Sequence, residues 1–112
     1  PMDEYKVSGG GFVADDGPSR IMELAVNLGV RHFIVPSTNL SGVQRVSEFL
    51  SARVHNPTLF MTGIGTMGGR IRDAFAAAGR SSCYAIVGRA VYANENPKEA
   101  AKMLGSEALL FA

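Results

Sequence analysis

The tightest constraint in this sequence is a period. Short apolar runs begin near residues 5, 32, 58 and 83, about 26 residues apart, and a helix-forming stretch follows each. The first run, Glu4 to Ser8, reads as a short strand broken by Gly9-Gly10-Gly11. The second, His32 to Val35, stops at Pro36. The third is Thr58 to Met61 and the fourth Cys83 to Val87. Runs without polar alternation suit strands of a parallel sheet buried on both faces. Between them, Asp15-Asp16-Gly17-Pro18 opens a helix whose stripe is Ile21, Leu24, Ala25 and Leu28, and Gly29 closes it. Ser41 caps a second helix with Val43, Val46, Phe49 and Leu50 as its buried stripe. A third runs from Ile71 to Ala78 and ends at Gly79. Tyr92 to Asn96 is a turn, and Pro97 opens a last helix through Leu104.

Strand alternating with helix at constant spacing predicts an α/β fold of four βα units with a parallel sheet. A closed barrel of eight such units takes about 250 residues. The chain has 112 residues, so it reads as one domain, 1–112, and as half a barrel. The competing architecture is a small open doubly wound sheet, whose glycine fingerprint follows the first strand. Here the glycine turns follow the last two strands, where a barrel places its phosphate loops.

Those turns are the candidate site. Gly63, Gly65, Gly68 and Gly69 fall within seven positions between an apolar run and a helix. Glycine permits positive φ and close approach of backbone to a ligand. A glycine loop entering a helix aims N–H groups at an anion. The second piece, Ala85-Ile86-Val87-Gly88-Arg89, is again a strand, then glycine, now with an arginine at its tip. Together they read as a phosphate cradle with one guanidinium clamp; the plainer reading is two tight turns and a surface arginine.

Composition limits the ligand. A formal net charge of +1 argues against a general nucleic-acid binder, while Arg70, Arg72, Arg80 and Arg89 cluster in the last third, which suits a small anion. One cysteine, Cys83, excludes an internal disulfide and suits a reducing, cytoplasmic compartment; in an apolar strand it reads as core. No apolar run is long enough to span a bilayer. The polar, acidic start predicts no leader peptide, and Pro1 before Met2 reads as a fragment boundary. His32 and His55 lack ligand spacing, so no metal is expected. Asp15-Asp16 reads as helix capping rather than a catalytic pair. Ser37-Thr38 either approaches the ligand or caps the next helix. The methionines show no spaced stripe and read as packing.

Taken together, Leu28-Gly29-Val30-Arg31, Val35-Pro36-Ser37-Thr38, Thr62-Gly63-Ile64-Gly65-Thr66-Met67-Gly68-Gly69, Ile86-Val87-Gly88-Arg89-Ala90-Val91-Tyr92 and Asn96-Pro97 resemble the C-terminal half of orotidine 5′-phosphate decarboxylase, in its archaeal form. The likeness runs from about Val7 to Leu104. It implies a TIM barrel that converts orotidine 5′-phosphate to UMP without metal or organic cofactor. It implies that the stretch Thr62, Gly63, Ile64, Gly65, Thr66, Met67, Gly68, Gly69, Arg70, Ile71 and Arg72 wraps the phosphate. Arg89 then pairs with phosphate oxygens, the backbone at Gly88 assists, and Ser8 touches the pyrimidine.

Two departures stand out. Met67 occupies the place of a family glutamine and cannot donate its hydrogen bond. The family's Asp-x-Lys-x-x-Asp set, which stresses the substrate carboxylate and protonates the carbanion, has no counterpart around Lys6, Lys98 or Lys102. The chain is therefore expected to bind a nucleotide phosphate without decarboxylating alone. Its partners would be orotidine 5′-phosphate or UMP, a second copy or a missing N-terminal half, with no nucleic acid and no membrane. The alternatives are another phosphosugar barrel enzyme, such as a hexulose-phosphate synthase, or a non-catalytic phosphate-binding module.

Overall fold

The computed structural model describes residues 3–111. They form two compact units, one running to Val30 and one from Arg31 onward.

The second unit holds a sheet of three parallel strands, β1 (His32–Pro36), β2 (Thr58–Thr62) and β3 (Ser82–Ala85), in the order β1-β2-β3. Parallel neighbours need long crossovers, and helices supply them. They are α2 (Leu40–Ser51) and α3 (Ile71–Ala78); after β3 come α4 (Arg89–Tyr92) and α5 (Pro97–Leu109). Register aligns Ile34 with Phe60 and Phe60 with Tyr84. Successive side chains of a strand point to opposite faces, and only one face is covered. Val35, Leu59 and Met61 are buried with Val43 and Leu50 of α2 and Ile71, Ala74, Phe75 and Ala78 of α3. Each large side chain in that core contributes about 1.5–3 kcal/mol by leaving water. The other face is open: Ile34 is 71% exposed and Tyr84 59%. Burial of these strands on both faces is thus corrected to burial on one, because the helices all serve the same side.

Local chemistry sets the helix ends. Asn39, not Ser41, caps α2: its Oδ1 accepts the Gly42 N–H at 2.9 Å, and the Ser41 hydroxyl donates to the same oxygen. Asn96 caps α5 likewise, accepting from the Glu99 N–H at 3.3 Å, with Pro97 in the first turn. Gly79 ends α3 with φ +59°. The last helix runs past the expected stop at Leu104 to Leu109, because Gly105 costs a helix only about 1 kcal/mol and does not end it. A buried polar link pins α2 to the end of α3. The Ser47 hydroxyl lies 2.5 Å from the Ala78 carbonyl and 2.6 Å from the Ser81 hydroxyl. Cys83 is half-buried, and burial pushes its thiol up to about 11.

The first unit departs from expectation. Glu4 to Ser8 forms no strand. Two 3₁₀ turns, Asp3–Tyr5 and Val7–Gly9, take its place, so the described sheet has three strands rather than four. The chain folds back on itself: Val13 N–H reaches Tyr5 O at 2.7 Å, Val7 N–H reaches Val13 O, and Lys6 bridges to Val13. Gly11 lets this happen, since a Cβ there would overlap the Tyr5 backbone. The following helix, α1 (Gly17–Asn27), ends as expected with Gly29 at φ +86°. Its stripe is not buried: Ile21, Leu24 and Leu28 are all exposed. Among the described residues of this unit there is no sheet for the stripe to lie on. Nor do the acids cap it as expected, for Asp16 makes no side-chain cap and Asp15 turns to Ser8.

Candidate functional site

β2 ends at Thr62, and the next seven residues fold into a self-bonded loop. Gly69 N–H donates to Gly63 O at 3.0 Å, Gly65 N–H to Gly69 O at 2.8 Å, and Gly68 N–H to Gly65 O at 2.8 Å. Gly63, Gly65 and Gly68 hold φ of +79°, +84° and +94°. Such angles strain any residue with a Cβ. The remaining glycine serves close packing instead: a Cβ on Gly69 would overlap the Ser37 hydroxyl and lie 2.7 Å from Gly63 O. The N–H groups of Thr66 and Met67, at the loop tip, have no acceptor among the described residues.

The buttress beneath the loop is Ser37, at the end of β1. Its side chain is fully buried. Both its N–H (2.8 Å) and its hydroxyl (2.7 Å) donate to Thr62 O, the carbonyl from which the loop departs. Ser37 therefore neither faces the ligand nor caps α2, the two roles open to it from sequence. Thr38 packs beside Gly63, where an added Cβ would come within 3.3 Å of its methyl.

The second glycine turn lands against the first. β3 ends at Ala85, yet Ile86 N–H still donates to Met61 O at 2.8 Å, which carries the chain forward along β2. Gly88 then turns it into α4. Gly65 sits so close to Ala90 that a Cβ would come within 2.6 Å of the alanine methyl. Arg89, one residue earlier, is exposed and makes no ion pair among the described residues. The loop and Arg89 thus share one end of the sheet, at the C-terminal ends of the parallel strands.

The other expected residues divide. Thr62 is half-buried, with its hydroxyl near Val35 O. Ile64 and Ile71 are buried, so only their backbone can face a ligand. Met67 is 65% exposed at the tip. The Arg70 guanidinium lies 3.6 Å from the Asp73 carboxylate on the open surface. The Arg72 N–H is already taken: the Glu107 carboxylate, reaching from α5, accepts it at 3.1 Å. The anion expected at the start of α3 is thus supplied by the chain itself. Nothing in the sequence signals this, since Glu107 lies 35 residues away.

Ser8 belongs to the first unit and lies in a 3₁₀ turn, not at a strand end. Its N–H and hydroxyl both donate to Asp15 Oδ1 at 3.0 Å. The backbone bond first, then the hydroxyl, hold the Asp15 carboxyl below its ordinary range, with Lys6 adding a smaller pull. Lys98 and Lys102 lie on α5, where Lys102 stands 3.7 Å from Glu99. Among the described residues no group of three His, Cys, Asp or Glu gathers in one place. None of the described helices is long and apolar enough to cross a membrane.

Known proteins similar to this chain in sequence and in fold include orotidine 5′-phosphate decarboxylases. No family model matches the chain. It is 35% identical over 83 residues to orotidine 5′-phosphate decarboxylase of Methanocaldococcus jannaschii, covering 74% of this chain and 36% of that protein. To the same enzyme of Thermococcus kodakarensis it is 36% identical over 90 residues, covering 80% of this chain and 39% of the other. The crystal structure of the Methanocaldococcus jannaschii enzyme, complexed with the inhibitor BMP, matches with a TM-score of 0.71 at 27% identity, over 92% of this chain and 45% of that one. The enzyme from Sulfolobus solfataricus shares the fold, with a TM-score of 0.66. The chain spans 36–45% of the length of these relatives.

Proposed function

We propose, for a chain homologous to orotidine 5′-phosphate decarboxylase over 36–45% of that enzyme's length, the role of its phosphate-binding C-terminal half. In this reading residues 1–112 form one half-barrel domain. The ligand is orotidine 5′-phosphate or UMP, bound through its phosphate. The observation that carries the proposal is the seating of Gly65 on Ala90, which puts the glycine loop beside Arg89. The loop-tip N–H groups and a permanently charged planar fork are the donors a phosphate takes. Gly63, Gly68 and Gly69 shape the loop, and Gly88 lets the second turn approach.

No residue of this chain is assigned to the chemistry. Holding a phosphate equally well in substrate and transition state lowers KM and leaves kcat alone. The carboxylates and lysine that would act on the reacting carbon belong to the other half of the barrel. The chain alone should yield no UMP from orotidine 5′-phosphate above a heat-treated control. The same reading places the protein in the cytoplasm with its nucleotide.

Isothermal titration tests it. UMP should bind and uridine should not, because the phosphate carries the contact. Arg89→Ala should weaken UMP by about 1.5–3 kcal/mol, the range for hydrogen bonds to charged groups. Equal binding of uridine, or an unaltered affinity in Arg89→Ala, removes the assignment. Met67→Gln should tighten UMP modestly by restoring a side-chain donor at the tip.

A further inference from the structure

We propose that the pocket at the end of the sheet opposite the glycine loop is a second anion site, one that takes the phosphate of a small phosphate monoester. The pocket holds about 380 Å³ and lies where α2 turns into β2, lined by Ser51, Arg53, His55, Asn56 and Pro57, with Arg80 joining them from ahead of β3. A volume of that order suits a small molecule better than a bare ion. β2 lies between β1 and β3, so the turn that feeds it has elements of this chain on both sides. The Ser82 N–H donates to Pro57 O at 3.0 Å, which holds the approach to β3 against that turn. One residue earlier, the Ser81 hydroxyl belongs to the buried link with Ser47, so the backbone beside Arg80 is pinned. The turn itself is closed by the Arg53 and Val54 N–H groups, both donating to Leu50 O. Asn56 takes φ +51° ahead of Pro57, a left-handed angle that asparagine adopts more readily than most residues.

The donors around the pocket are held in place. The Arg53 guanidinium stacks on the Phe49 ring at 3.8 Å and gives one N–H to Phe49 O at 3.1 Å. That fixes the plane of the fork and leaves its other donors without an acceptor among the described residues. Asn56 Nδ2 donates to His55 Nε2 at 3.2 Å, so the ring carries its own proton on Nδ1, a further donor. Neither Arg53 nor Arg80 makes an ion pair among the described residues. No acid lines the pocket, and the sequence has none between Glu48 and Asp73. Glu48 lines the neighbouring groove, which Arg80 also borders, and accepts from Gln44 at 2.9 Å. Two guanidiniums about one cavity repel each other until an anion enters between them. A phosphate monoester carries close to two charges near neutral pH and three acceptor oxygens, which planar forks arriving from two sides can share. The length of β2, roughly 17 Å, separates this site from the glycine loop.

An NMR titration of the ¹⁵N-labelled whole chain at constant ionic strength is the test. Glycerol 3-phosphate should shift the amides of Arg53, His55, Asn56 and Arg80 along one saturating curve, and glycerol should leave them in place. Inorganic phosphate should follow the same curve more weakly, because it fills less of the pocket. Arg53→Gln and Arg80→Gln should each weaken binding about threefold to fivefold, the upper range of an exposed ion pair. Arg45→Gln removes the same charge from α2 at a position outside the pocket lining and should leave the affinity unaltered. Arg89→Ala should leave it unaltered too, which separates this site from the glycine loop. If Arg53→Gln disturbs the amides along α2, Arg80→Gln carries the test alone. The absence of a saturating shift at the turn overturns the proposal. So does an equal loss in Arg45→Gln, an affinity untouched by Arg80→Gln, or inorganic phosphate that binds as tightly as the ester.

Discussion

The two units of this chain carry the same kind of sequence and meet different ends. Each offers an apolar run, a glycine turn and an amphipathic helix. From Arg31 onward the runs pair as parallel strands, and the helices bury Val43, Leu50, Ile71 and Phe75 against them. Up to Val30 the run coils into 3₁₀ turns, and the helix keeps Ile21, Leu24 and Leu28 exposed. The contrast teaches that a helix is specified by its own stretch of chain, because its hydrogen bonds close within it. A strand is specified only together with a neighbour, because its hydrogen bonds are made by another segment.

The largest effect should separate the cores. Leu59→Ala, at a fully buried position, should cost about 2–5 kcal/mol in urea unfolding followed by circular dichroism. Leu24→Ala, on the exposed stripe of α1, should stay within about 0.5 kcal/mol. Comparable losses would mean that the α1 stripe is buried in solution, and the contrast between units would fall.

Glycines give a sharper comparison. Gly10 and Gly65 hold nearly the same φ, +89° and +84°. An added Cβ meets nothing at Gly10 but meets Ala90 at Gly65. Gly65→Ala should therefore cost about 1–3 kcal/mol more than Gly10→Ala, the usual penalty for overpacking. It should also weaken UMP binding, while Gly10→Ala should not. Equal penalties would show that backbone strain, not the seating on Ala90, fixes the loop.

The paired serines come next. Ser37→Ala removes a buried donor from Thr62 O and should cost about 1 kcal/mol, with a further loss of UMP affinity as the loop loosens. Ser8→Ala, in an exposed turn, should change stability by no more than about 0.5 kcal/mol. An unaltered UMP affinity in Ser37→Ala would show that the loop holds its shape without its buttress.

The smallest effects are in pH, and they have opposite signs in the two units. The Asp15 carboxyl is held below its ordinary value of 3.8, so its contribution is present above that pH and is lost as acid carries the solution through the lowered value. Asp15→Asn should remove that acid limb from a hydrogen-exchange profile of the Ser8 amide. The Cys83 thiol is raised from 9.0 to about 11, so its contribution is complete below pH 9 and fades as pH climbs towards 11. Iodoacetamide at pH 8 should alkylate it far more slowly than free cysteine, because the thiolate is the nucleophile. Rapid alkylation would show that the pocket around β3 opens readily.

Much of the fold and site was legible before the structure. The strands His32, Thr58 and Cys83 begin within a residue of where the apolar runs place them, and α3 spans Ile71–Ala78 as its periodicity predicts. The two glycine turns were legible too, since glycine at those spacings has few other uses. Three things were not. Ser37 stands in a quoted stretch, but its buttressing role depends on a carbonyl 25 residues away. Glu107 takes the start of α3 from 35 residues further on. The run at Glu4–Ser8 has strand composition but no strand to pair with.

What the sequence determined by itself is whatever is settled within one turn or one short run: helix positions, the glycine stops at Gly29 and Gly79, the alternation that gives the strands two faces. Tertiary structure alone decided which face was covered, which serine lies beneath the loop, and that Gly65 rests on Ala90. The reason is the range of the forces. Backbone angles and side-chain spacing act between neighbours in the chain. Burial and buried hydrogen bonds act between segments that meet only once the sheet has formed.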